Sequence, residues 1–282
     1  MSTTPNPFAG MSSVKCPGIK SEDIQAEDFL KIAIIGEQKS GKSWFAATAP
    51  QPILYYDWDG RKESLEGKSG LFVKSAPALT MLDVESDLSV MKAAKIKATQ
   101  TNTKPVLPAT VVHDTVSLQK KAMEDELRRQ NPNSNLFRGI KVGNSTTVFI
   151  GQGWDVVNGV QNYMQYLIDE YSGLGINQIF VFHERDEKDK DKSAPDKPVY
   201  TGKLTIDPQY LTGMLSKFNE VYHIKVDASI PTKVKYVVEC RPNNNINAST
   251  TMMLDATEPP DIMGMIAKHK RLRAASQAPP KV

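Results

Sequence analysis

Apolar positions along this chain fall into two patterns, and their alternation gives the first view of the fold. Short, mainly apolar runs occur at Leu30–Ile35, Ile53–Tyr56, Leu71–Val73, Ala109–Val112 and Ile176–Phe182, the signature of strands covered on both faces. Between them lie stretches with helical spacing at 86–99, 118–129 and 154–171. The last has apolar residues at 156, 157, 160, 163, 164, 167, 168 and 171, a core-facing stripe. A short helix is expected at 208–218. Segments 220–226 and 233–239 alternate and predict a hairpin, and a last helix runs from Asp261 to about Ala275. Buried strands alternating with helices predict an α/β fold: a mostly parallel central sheet flanked by helices, with a C-terminal antiparallel hairpin.

Other regions lack such a pattern. Residues 1–28 are polar and rich in Ser, Thr and Pro, a flexible N-terminal arm ahead of a core at 29–255. Residues 256–282 form a basic C-terminal helix and tail. Within the arm, Phe8 is a lone aromatic: either a stray residue or an anchor that docks on a neighbouring subunit. Segment 131–152 is rich in Asn, Ser and Gly, with Arg138 and Lys141 near Phe137. Segment 184–203 interleaves six acids with six bases. Both predict irregular chain, the second a solvated mobile loop.

The candidate chemistry sits at the junctions of these elements. Gly36, Glu37, Gln38, Lys39, Ser40, Gly41, Lys42 and Ser43 match G-x-x-x-x-G-K-[ST] between a buried strand and a helix. Glycines there let successive amides converge on a phosphate. Lys42 reaches the β- and γ-phosphates, and the Ser43 hydroxyl binds Mg²⁺. The motif implies a nucleoside triphosphate. Asp57 and Asp59 end the second strand, expected beside the P-loop strand; they are ligand-facing carboxylates or turn formers before Gly60. Asp114 ends a β-branched run, as a carboxylate that holds Mg²⁺ does. His183 closes the strand 176–182 and is either structural or a sensor of the γ-phosphate.

Composition changes this picture little. Of 282 residues, 40% are hydrophobic and 24% charged, with a net charge of +3, ordinary for a soluble chain and too weak to argue for nucleic acid. There is no transmembrane run and no signal-peptide pattern, and Cys16 and Cys240 make neither a disulfide framework nor a zinc site. A reducing cytoplasm is expected.

In order, the P-loop, Asp57-Trp58-Asp59-Gly60, Val112-His113-Asp114-Thr115, the helix from Trp154 and Phe182-His183-Glu184 resemble the phage-encoded RecA-like AAA ATPases. The resemblance covers roughly residues 29–241. Better-known members act in single-strand annealing or recombination. The resemblance implies a RecA-like P-loop NTPase core, ATP and Mg²⁺ as cofactors, and Mg-dependent hydrolysis stimulated by DNA. It makes Asp59 the group that orients the attacking water, where relatives more often carry Glu, with Glu184 the alternative. It makes His183 the sensor. Arg241, with Lys235 second, becomes the cation given to a neighbouring subunit's site. Two loops, 131–152 and 184–203, are expected to face single-stranded DNA. Arg138, Lys141 and the basic helix with Lys268, Lys270, Arg271 and Arg273 are the candidate contacts. A homo-oligomeric ring or filament is implied, with a single-strand binding protein as a further partner and the host cytoplasm as location. Two rivals remain on the residues alone: a P-loop small-molecule kinase, and a nucleotide-dependent scaffold that never touches DNA.

Overall fold

The computed structural model describes residues 29–130, 137–142, 146–152, 154–190, 198–207, 209–227, 234–243 and 247–277. The first half holds β1 (Lys31–Gly36), α1 (Lys42–Ala46), β2 (Ile53–Asp57), β3 (Leu71–Ser75), α2 (Met81–Thr101), β4 (Thr110–Asp114) and α3 (Val116–Gln130). Then come β5 (Phe137–Val142), β6 (Thr146–Gln152), α4 (Trp154–Leu174), β7 (Asn177–Lys190) and β8 (Pro198–Asp207). The chain ends with a 3-10 helix at Gln209–Lys217, β9 (Glu220–Asp227), β10 (Lys235–Glu239), β11 (Thr257–Glu258) and α5 (Ile262–Gln277).

Nine strands form one sheet in the order β11-β10-β9-β1-β7-β4-β2-β3, with β8 paired to β7. From β9 to β3 every neighbour is parallel, while β10, β11 and β8 are antiparallel. The predicted fold class is therefore the observed one. The parallel strands were legible because both of their faces are covered. Ala33, Ile35, Phe180 and Phe182 pack under α2, α3, α4 and the 3-10 helix at 209–217. Ile32, Ile34, Ile179 and Val181 pack on the opposite face with Phe45 of α1 and Ile262 and Met265 of α5. Full burial of one such side chain stabilises the fold by about 2 kcal/mol, so this double-sided packing fixes the strand ends that carry the site.

Three expectations are corrected. β2 does not lie beside β1, because β7 and β4 come between them. The segment 131–152 is not wholly irregular: β5 and β6 pair as an antiparallel ribbon. The charged segment after Phe182 is not a loop throughout. β7 continues to Lys190 and pairs with β8 from His183↔Asp207 to Lys190↔Pro198. Local pattern marks neither ribbon as such: the first lies in a segment rich in Asn, Ser and Gly, and β7 beyond His183 in one of alternating charge. Among the described residues no helix is long and apolar enough to cross a membrane.

Candidate nucleotide-binding site

β1 delivers the P-loop at the C-terminal edge of the parallel strands. Gly36 is required where β1 ends, since a Cβ there would lie 2.4 Å from the Ile224 carbonyl oxygen. Lys39 and Gly41 take left-handed φ values of 64° and 88°, which turn the backbone around a concave loop. Lys42 is buried; its ammonium donates to the Gly36 carbonyl at 2.8 Å and to the Glu37 carbonyl. Burial depresses its pKa to about 8, against the opposing pull of the Asp114 and Glu184 carboxylates.

The next residue meets the end of β4. Ser43 Oγ donates to Asp114 Oδ2 at 2.5 Å, and the Tyr55 hydroxyl donates to the same oxygen at 2.6 Å. Burial pushes the Asp114 carboxyl above its ordinary range, while these two hydrogen bonds and Lys42 pull it back. One hydroxyl and one carboxylate in contact form a hard oxygen pair of the kind Mg²⁺ takes.

A cavity of about 230 Å³ opens over these groups, and Asp57, Asp59, Arg61, Thr115 and His183 complete its wall. Asp57 accepts a hydrogen bond from Ser75 Oγ at 2.7 Å. Asp59 pairs with Arg61 Nε at 3.0 Å and keeps 22% of its side chain exposed. Burial, then Lys42, holds His183 below its usual pKa, so its imidazole is neutral at pH 7. His183 Nδ1 and the Thr115 and Ser40 hydroxyls are buried without a hydrogen-bond partner among the described residues. Orphaned buried polar atoms beside a lysine bonded to carbonyls suit a polyanion that would supply their partners. The residues thus fit a triphosphate with Mg²⁺: the P-loop and Lys42 for the phosphates, Ser43 and Asp114 for the metal.

A second, largely apolar cleft of about 680 Å³ shares Gly41 and Trp44 with the first. Tyr236 and Val234 form one wall and Pro259 and Pro260 another. A Cβ on Gly41 would stand 3.1 Å from the Tyr236 ring. Trp44 is 46% exposed, with the Lys68 ammonium 3.9 Å from its ring centroid.

Lys42, Ser43, Asp59, Asp114 and His183 are thus brought to one cavity. Arg241 is not: β10 runs antiparallel to β9, so its start at Lys235 and Tyr236 lies at the P-loop edge, and Arg241 follows the other end. Arg241 Nη2 donates to the Leu254 carbonyl at 3.2 Å. Glu184 is also engaged elsewhere, accepting from His223 Nε2 at 2.5 Å. Lys268 pairs with Asp255 and Glu258, while Lys270, Arg271 and Arg273 are exposed. Arg138 and Lys141 fall on β5 of the ribbon. Phe8 and the arm lie outside the described residues. Sequence reasoning missed Tyr55, Arg61 and Tyr236. Tyr55 was detectable, because a tyrosine inside a buried run needs a partner for its hydroxyl. Arg61 stands two residues after Asp59, and Tyr236 was hidden among alternating strand residues.

A parallel sheet whose P-loop strand is flanked by β7 and β9, with Ser43 bonded to Asp114, is the arrangement of a P-loop nucleotide-binding core. Residues 28–252 match the AAA domain, and the chain belongs to that family. Among solved structures it is similar to a KaiC-like protein from the hyperthermophilic archaeon Pyrococcus horikoshii OT3. That chain is 11% identical with a TM-score of 0.38, the match covering 79% of this chain and 82% of that one. No curated protein matches.

Proposed function

We propose that this protein binds ATP with Mg²⁺, hydrolyses it, and couples that turnover to assembly on single-stranded DNA in recombination or strand annealing. The observation that carries the chemical part is the joining of Lys42, Ser43, Asp59, Asp114 and His183 around one cavity. The P-loop amides and Lys42 bind the phosphates, and Ser43 and Asp114 hold the metal, which supplies charge neutralisation on the transferring phosphoryl group. Asp59 orients and deprotonates the attacking water, with Arg61 fixing its carboxylate. His183, with a neutral ring, offers a hydrogen bond to the terminal phosphate. The adenine base occupies the apolar cleft between Tyr236 and Trp44, which begins where the phosphate cavity ends.

Support for the DNA part comes from placement. Arg138 and Lys141 fall on a two-stranded ribbon, a second ribbon leaves the site edge directly after His183, and α5 exposes three basic residues. The test is the ATPase rate with and without single-stranded DNA across a salt series. Stimulation that fades as salt rises is expected, because phosphate contacts release counterions. Phosphate transfer to a small acceptor would point to a kinase instead, and hydrolysis indifferent to DNA at every salt concentration would remove the DNA part.

A further inference from the structure

Behind the P-loop runs a hydrogen-bonded chain of polar side chains that the nucleotide chemistry does not use. In register, β1 ends with Gly36 opposite His183, so Glu184 stands one residue past the end of β1. On the other side of β1, Ile35 is opposite His223 of β9. Because Glu184 stands past the end of β1, its side chain meets that of His223 across that end, His223 Nε2 on Glu184 Oε2 at 2.5 Å. The second ring nitrogen, Nδ1, lies 3.0 Å from Glu239 Oε2, and Lys225 Nζ donates to the other oxygen of that carboxylate at 2.6 Å. The side chains of Glu184, His223 and Glu239 are at most 10% exposed.

A carboxylate accepts, so a ring N–H of His223 on Glu184 Oε2 holds that side chain in place, as the Lys225 ammonium holds Glu239. Lys42 lies nearby. Its ammonium rests on the Gly36 and Glu37 carbonyls, at the same end of β1, and Glu184 acts on it through space. Adjacent strands stand about 4.8 Å apart, within the span of a glutamate side chain. Freed from His223, Glu184 keeps Lys42 as a cation it already acts on, and a carboxylate seated there would compete with the incoming phosphates.

We infer that His223 is a positioning residue: it holds Glu184 off Lys42 and so keeps the P-loop lysine available for a triphosphate. The inference rests on the reading of the P-loop as a triphosphate site. The experiment measures the Kd of a non-hydrolysable Mg-ATP analogue for wild type, His223→Leu, Glu184→Gln and the double variant. Wild type is read first; no binding there would overturn the reading of the site and this inference with it. His223→Leu is expected to bind at least about tenfold more weakly. Glu184→Gln should stay within about twofold of wild type, and the double variant should return to within about threefold. In turnover the His223→Leu defect should fall on KM and leave kcat unchanged. Because that variant strands buried carboxylates, His223→Gln, which can still donate to one of them, provides the folded alternative. It should show a smaller loss in the same direction, also reversed by Glu184→Gln. Unchanged affinity in both His223 variants, or a loss that Glu184→Gln does not reverse, would overturn the inference.

Discussion

Lys42 carries two consequences of one fact, its burial. Desolvation lowers its pKa to about 8, below the ordinary lysine value, so the sign of each effect follows directly. Phosphate prefers the protonated ammonium, so ATP affinity should be flat below pH 8 and fall as pH rises through it; calorimetric titration from pH 7 to 9.5 checks this. In the free protein the unfolded state binds the extra proton between pH 8 and the ordinary value, so the stability of the nucleotide-free chain should rise across that interval. Asp59 poses a different question, because its carboxylate faces the cavity while paired to Arg61. Asp59→Asn should bind ATP within about threefold of wild type and turn over at least about a hundredfold more slowly. Wild-type turnover in that variant would make Asp59 a partner for Arg61 and nothing more. The P-loop, Asp114 and His183 could be read from sequence because each closes a buried run. The Asp59–Arg61 pair and the identity of the Tyr55 acceptor could not, since the first depends on how the loop after β2 turns and the second on β4 lying beside β2.

Elements were legible in proportion to how much apolar surface they bury. β1, β4 and the first half of β7 are covered on both faces, and their runs predict them closely. The extension of β7 past His183 carries charged sequence, and of its partner β8, among the described side chains, only Ile206 is placed in the core, so the ladder is their main definition. The sheet order was also out of reach, because local pattern does not say that β7 inserts between β1 and β4. That insertion puts His183 directly beside Gly36, at the edge where the P-loop begins. β10 supplies the other element-scale feature, carrying Tyr236 onto Gly41 and into the apolar cleft. Base stacking on an aromatic ring is worth about 1–3 kcal/mol. Tyr236→Ala should therefore weaken ATP about tenfold or more while leaving the affinity for inorganic tripolyphosphate unchanged. Equal losses for both ligands would place the base elsewhere.

At the scale of the whole molecule, the described cations in the phosphate cavity are Lys39, Lys42 and Arg61, and Arg241 lies away from it. If Arg241 serves a site, that site belongs to another copy of the chain. Arg241→Ala should then lower turnover about a hundredfold while sparing ATP binding and oligomer size. Mixing it with Lys42→Ala in hetero-oligomers should restore part of the lost rate, because some interfaces join an intact Lys42 to an intact Arg241. A mixture as inactive as its components would exclude a role in trans.

We propose that the Lys42–Ser43–Asp114 cluster makes this chain an Mg-dependent ATPase. Steady-state phosphate release from ATP, measured with Mg²⁺, with chelator, and in Lys42→Ala, tests it most directly. Hydrolysis by wild type with Mg²⁺, its loss on chelation, and a fall of at least about a hundredfold in Lys42→Ala are the predicted results. Equal phosphate release by wild type and Lys42→Ala, or none from wild type with Mg²⁺ whether or not single-stranded DNA is present, would contradict it.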